Sequence, residues 1–315
     1  MLDLRRLQVL HEFAHQGSIA ATARSLGYTA SAISQQLSTL EREVGTPLLD
    51  RTARSAELTD SGRMLAERAG QILAMVEAAE SLLAASASEP SGRVTVTAFP
   101  SAAVAFAPRL APRLRQYKNV QLVVRQAAEG TGARQVSSGD VDIALVDEWG
   151  GGTPDDGAGK LRSYHLLRDP MILVVPKGHR LADPEQPVEL SALLAEPWII
   201  AAHGEPSRYG TEQLLAHLGG APVAAWEFEG LGTILSLVAR GIGIAAVPSL
   251  ALTSGTAGLR FRHLPQAPPS RDIYAVARAA SVSRPSVKVT LRALRDVAED
   301  VQRTLASALD GAPAH

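Results

Sequence analysis

Apolar positions recur at helical spacing near the start of the chain, and the rhythm then changes twice. Leu4, Leu7, Val9, Leu10, Phe13 and Ala14 form a stripe with the period of a helix that turns one face to a core. Gly17 can close that helix, Ser18 can cap a second one, "IAATARSL", and Gly27 stops it. Thr29 caps a third helix running to Gly45, in which Ile33, Leu37, Leu40 and Val44 keep the inward spacing. Short helices joined by glycine turns make a unit of helix-turn-helix size. The stretch "PLLDRTARSAELT", residues 47–59, suits a small β-hairpin. From Thr59 a proline-free run then places Leu65, Ala69, Ile72, Val76, Ala79 and Leu83 on a heptad seam. A helix over this run is roughly 39 Å long at about 1.5 Å per residue. Its narrow seam predicts pairing with another copy of the chain.

After the small-residue hinge "SASEPSGR", strand and helix signals alternate. "VTVTA", "VQLVVRQA", "DIALV", "MILVVP", "WIIAA", "AAWEFE", "IAAVP" and "RDIYAVARA" read as strands. Helical patterns lie among them, at "AVAFAPRLAPRLRQY" and near 132–138, 211–218, 231–240 and 286–309. This alternation predicts α/β architecture with parallel sheets covered on both faces, split into two small domains with a cleft between.

Composition narrows the chemistry. The 315 residues exceed one ordinary core. Basic and acidic residues balance at 31 and 32, so net charge argues neither for nor against nucleic acid. No lysine occurs before Lys118, so every early cation is arginine, although a GC-rich genome gives the same bias. The absence of cysteine excludes disulfides, thiol catalysis and cysteine-ligated metal. No apolar leader opens the chain, and "GIGIAAVPSLAL" is too short to span a bilayer. A cytoplasmic protein without a membrane partner is expected.

The third helix carries the most specific chemistry. Opposite its core side, Ser31, Ser34, Gln35 and Ser38 share one face with no charge before Glu41. A merely solvated face favours lysine and glutamate, whereas hydroxyls and a carboxamide approach base edges closely, both donating and accepting. Arg51 and Arg54, in the expected hairpin, suit phosphate or the minor groove. Residues 1–62 carry six arginines against seven acids, so binding depends on where the arginines stand.

Residues 1–62 resemble the winged helix-turn-helix of LysR-type transcriptional regulators. The matching positions are Phe13, Gly17–Ser18, Ala20–Ala21, Ala23, Leu26, Ser34, Leu40–Glu41, Gly45, Pro47–Leu48, Arg51, Leu58–Thr59 and Gly62. The family's frequent Gln-Pro at the start of the recognition helix is Ala30–Ser31 here, so no base contact carries over to Ala30. "SGRVTVTA", "GDVDIALV", "DPMILVVPKGHRLA", "EPWII" and "LVARGIGIAAVP" are similar to the effector-binding region of the same family, which has a periplasmic-binding-protein-like fold. The resemblance implies a winged helix-turn-helix over 1–59 and a linker helix over 60–88. An effector-binding domain then occupies 89–315, with subdomains of 93–165 plus 269–315 and of 166–268. It also implies double-stranded DNA and a small-molecule effector as partners, and a homodimer or homotetramer. The expected DNA-facing residues are Ser18, Thr29, Ser31, Ser34, Gln35, Ser38, Arg51 and Arg54.

Two motifs point elsewhere. "HEFAH" places His11, Glu12 and His15 in the His-Glu-x-x-His spacing of zinc proteases. It lies on the first helix with no strands before it and no third histidine at the extended spacing, so no metal is expected. "GIGIAA", Gly241–Ala246, matches a dinucleotide fingerprint but follows a helix and precedes a strand, the reverse of the required order. "FPSAA" lacks a nucleophile elbow, and the other histidines are scattered. Neither an enzyme nor a cofactor is expected. Ligands in such folds meet strand C-termini and helix N-termini, which selects Pro100, Ser101, Ala102, Asp147, Trp149, Ala202, His203, Gly230 and Thr233. The alternative is a solute-binding or enzymatic α/β protein with an accessory helical domain.

Overall fold

The computed structural model describes residues 2–51, 56–84, 89–127, 130–154, 160–217, 225–255, 257–264 and 268–309. The chain opens with α1 (Leu4–Gln16), α2 (Ile19–Leu26) and α3 (Ala30–Val44). Each start is capped by a side chain accepting from free amides: Asp3 from Arg5 and Arg6, Ser18 from Ala21, Thr29 from Ala32. Each end is closed by a left-handed glycine, Gly17, Gly27 and Gly45, as the sequence pattern requires. Leu7, Leu10, Phe13, Ile33, Leu37, Leu40 and Leu48 form the core beneath.

A two-stranded wing follows, β1 (Leu49–Arg51) antiparallel to β2 (Ala56–Leu58). Arg54 and the side chain of Arg51 lie outside the described residues. Glu41, near the end of α3, accepts from the amides of Leu48 and Leu49 at 2.9 and 3.0 Å and fixes the entry to the wing. Its exit is fixed by Thr59, whose hydroxyl donates to the Pro47 carbonyl and accepts from the Gly62 amide, each at 2.9 Å. A Cβ at residue 62 would stand 2.1 Å from the Leu48 carbonyl oxygen, so only glycine fits. The family-like positions Glu41, Thr59 and Gly62 thus form one lock.

The long helix α4 (Asp60–Ala84) corrects the expected heptad seam. Ala69 is fully buried in the first domain's core, and Leu65 and Ile72 pack against that core. The first half of the seam faces its own α1, because a helix leaving a small domain first covers that domain's open side. Val76 is half-buried, and the Leu83 side chain lies outside the described residues. Among the described side chains of α4, the large apolar ones most open to solvent are instead Met64 and Met75, at 63% and 66%.

The remaining elements are β3 (Gly92–Ala98), α5 (Pro100–Leu114), β4 (Val120–Gln126), α6 (Gly132–Ser138), β5 (Ile143–Glu148), β6 (Leu161–Pro176), α7 (Leu190–Leu194), β7 (Trp198–Ala201), α8 (Pro206–His217), β8 (Ala225–Phe228), α9 (Leu231–Ala239), β9 (Ala245–Pro248), β10 (Leu259–Arg262), β11 (Ser270–Arg278) and α10 (Pro285–Leu309). The sheets are mixed, not parallel throughout. β3 is parallel to β4 and β5, and β7 to β8, but β11 is antiparallel to both β5 and β6. β6 runs continuously through both lobes. As far as Pro170 it pairs with β11, and from Met171 it pairs with β9 and β10. One strand therefore carries the chain out of the first lobe, and β11 brings it back, leaving a cleft between. "GIGIAA" ends α9 and leads into β9, as its order in the chain demanded. Gly241 has φ +77°, and a Cβ at Gly243 would lie 2.4 Å from the Pro197 carbonyl oxygen.

Candidate functional site

The first candidate surface is the outer face of α3. Ser31 and Gln35 are exposed and Ser34 and Ser38 half-buried, while Ile33, Leu37 and Leu40 on the opposite side are buried. Ser31 hydrogen-bonds the capping hydroxyl of Thr29 at 3.0 Å. Thr29 and Ser18 act as helix caps, and both remain exposed. Tyr28, 58% exposed in the turn between α2 and α3, was not selected from sequence. An aromatic held in a helix-turn-helix turn, with nothing apolar to cover it, is the signal that would have found it. Two helices, a three-residue turn and an outward row of hydrogen-bonding groups make a surface that can enter a major groove.

The second candidate is the cleft. A cavity of about 850 Å³ opens between the lobes, lined among others by Phe99, Pro100, Ser101, Gln126, Asp147, Glu148, Glu205, Gly230 and Arg271. At its floor Arg271, 4% exposed, joins elements of both lobes. Its Nε donates to Asp169 Oδ2, its Nη1 to Asp147 Oδ2 and its Nη2 to Ser101 Oγ, each at 2.9 Å. Fully buried Asp169 also accepts from the Ser249 hydroxyl at 2.7 Å and the Leu250 amide at 2.9 Å. The guanidinium lies over the ring of Phe99 at 4.7 Å. The network ties β5, β6, β11 and the start of α5 together where the chain crosses between lobes.

Four of the residues expected here, Pro100, Ser101, Asp147 and Gly230, line this cavity. Ala102 does not, because it turns inward and is wholly buried in the core. Trp149 packs on Gly210, where a Cβ would meet its ring at 2.4 Å, and its Nε1 donates to Asp147 at 3.2 Å, so it supports the wall from behind. The Ala202 amide donates to the Phe228 carbonyl at 3.1 Å, extending the β7–β8 ladder. His203 and Thr233 are exposed but stand outside the lining. Sequence reasoning missed Arg271 and Glu205. The proline opening α8 marked Glu205 as the residue just before a helix.

The protease motif does not assemble as such. Glu12 accepts from the Gln16 carboxamide at 2.9 Å and from the Ser25 hydroxyl. It is tied to α1 and α2, away from the general-base role its spacing suggested.

A helix-turn-helix with a wing, a long connecting helix and a two-lobed α/β region around a cleft make the architecture of a regulator of transcription. The chain belongs to the LysR family. Residues 4–63 match the bacterial regulatory helix-turn-helix protein, lysR family, and residues 87–299 match the LysR substrate binding domain. It is similar to the HTH-type transcriptional regulator AlsR of Bacillus subtilis, 27% identical over 271 residues, 84% of this chain and 86% of that protein. It is also similar to the probable regulator LrrA of Synechococcus elongatus, 26% identical over 305 residues, 96% and 100% of the two chains. In fold it matches full-length OxyR of Pseudomonas aeruginosa with a TM-score of 0.73 at 18% identity, covering 95% of each chain. These matches favour a regulator over the solute-binding or enzymatic alternative. No helix among the described residues is long and apolar enough to cross a membrane.

Proposed function

We propose that the chain binds double-stranded DNA as a homodimer or homotetramer, reading bases with Ser31, Ser34 and Gln35, and that a small molecule in the cleft controls it. The observation that carries the first half is the uncharged outer row of α3, set over a buried apolar face. Two linked copies require a roughly palindromic site with half-sites one helical turn, or a multiple, apart. Titrating fluorescent upstream intergenic duplex with the full chain tests this. Saturable, salt-sensitive binding that prefers one duplex supports it, and equal affinity for every duplex contradicts it.

The lining of the cleft suggests the kind of effector. Asp147, Glu148 and Glu205 line it, while Arg271 is already paired with Asp147 and Asp169. Among the described lining residues carboxylates outnumber the single, neutralised cation, which favours a neutral or cationic hydrogen-bond donor over a carboxylate. The ligand acts only through a difference in affinity between the open and closed lobes. With no cysteine in the chain, thiol oxidation supplies no part of the response.

A further inference from the structure

Folding completes the half-site that "HEFAH" leaves open. His11 and His15, one turn apart on α1, meet the end of α6 and the turn that follows it in the other domain. There the Asp140 carboxylate lies 3.5 Å from His15 Nε2, and the Ser138 carbonyl oxygen lies 2.6 Å from His11 Nε2. One donor atom from each of His11, His15 and Asp140 falls within 4.8 Å of the other two.

The other ring nitrogens face carbonyls. His11 Nδ1 faces the Ala66 carbonyl at 3.1 Å, and His15 Nδ1 faces the His11 carbonyl at 2.8 Å. A carbonyl oxygen only accepts, so His15 donates from Nδ1; His11, with a carbonyl against each ring nitrogen, becomes a ligand through Nε2 when its proton sits on Nδ1. That is the arrangement by which metal-binding histidines are oriented, with the second nitrogen left as the ligand. In that tautomer Nε2 of His11 faces the Ser138 oxygen, and Nε2 of His15 faces the Asp140 carboxylate. A cation among these atoms satisfies both pairs at once. Room for the His11 ring is kept by Gly70 of α4, where a Cβ would come within 2.8 Å of it.

We infer that His11 Nε2, His15 Nε2, the Asp140 carboxylate and the Ser138 carbonyl bind one divalent transition-metal ion, zinc by this mixed nitrogen and oxygen donor set. Bonds of about 2.0–2.1 Å put donors roughly 3.3 Å apart in a tetrahedral shell. Loading therefore draws the two imidazoles and the carboxylate together by at most about 1.5 Å, and parts His11 Nε2 from the Ser138 oxygen, now 2.6 Å away, by about 0.7 Å. The ion joins the DNA-binding domain to the first lobe, a link that neither domain holds alone. The inference needs neither the DNA reading nor the effector cleft.

Calorimetric titration of the untagged full chain with zinc chloride tests it, beside His15→Ala, Asp140→Asn and the control Glu12→Gln. One equivalent binds to the parent and to the control, and each of the two ligand variants weakens binding by at least ~10-fold. X-ray absorption of the zinc-loaded parent, which needs no variant, shows two imidazole nitrogens with oxygen completing the shell. Absence of binding in the parent overturns the site and leaves protons as the cations between these groups. Asp140→Asn binding zinc as tightly as the parent, or a shell with no imidazole or more than two, also overturns it.

Discussion

Gly62 holds its place because of a single carbonyl, that of Leu48, which leaves no space for a Cβ. Gly62→Ala is expected to cost at least about 2 kcal/mol, since the clash is with backbone and not with a side chain that can turn away. Urea denaturation checks it, and a midpoint equal to the parent's contradicts the lock between α3, wing and α4. Arg271→Ala should cost about 3–5 kcal/mol, because it strands the buried Asp169 carboxylate without its cation. Asp300 gives a pH signature. Burial pushes its carboxyl up, but the hydrogen bond and charge of Arg113 and the charge of Arg303 outweigh this and hold it below its ordinary value. Its contribution is therefore present above the unfolded carboxyl value and is lost as pH falls through the lower folded one. The stability difference between parent and Asp300→Asn should narrow below about pH 4, followed by thermal melts across that range.

At the scale of elements, caps and glycines were legible from sequence because their physics is local. Ser or Thr before an apolar period marks the start of α2 and α3, and glycine after it closes α1, α2 and α3, without reference to anything distant. Strand direction was not legible. An apolar run such as "MILVVP" reads the same in a parallel or an antiparallel sheet, and nothing nearby says that β6 serves both lobes. The α4 seam was half legible: the spacing was visible, but not which of two partners it would meet. That division has a consequence. Ala69→Glu should lower stability by putting a charge in the first domain's core, whereas Met75→Glu should leave stability unchanged and weaken self-association if α4 forms the dimer contact. Sedimentation equilibrium beside denaturation separates the two, and a swap of these phenotypes refutes the assignment of the helix faces.

At the scale of the whole molecule, the cleft is made by topology. Ser101, Asp147, Asp169 and Arg271 are far apart in sequence and meet only because β6 and β11 cross between the lobes. Strand ends and helix starts pointed to Pro100, Ser101, Asp147 and Gly230, but not to Arg271 and Glu205. An aromatic amine should raise the melting temperature of the parent more than the matching carboxylate does, and Glu205→Gln should reduce that preference. Base reading by α3 is the central claim, and specificity measured on one variant tests it most directly. Take the duplex that the parent selects from a random pool, and a scrambled duplex of equal length, and compare parent with Gln35→Ala by fluorescence polarisation at one salt concentration. The account predicts a loss of about 1–3 kcal/mol on the selected duplex and none on the scrambled one. Undiminished preference for the selected duplex contradicts it.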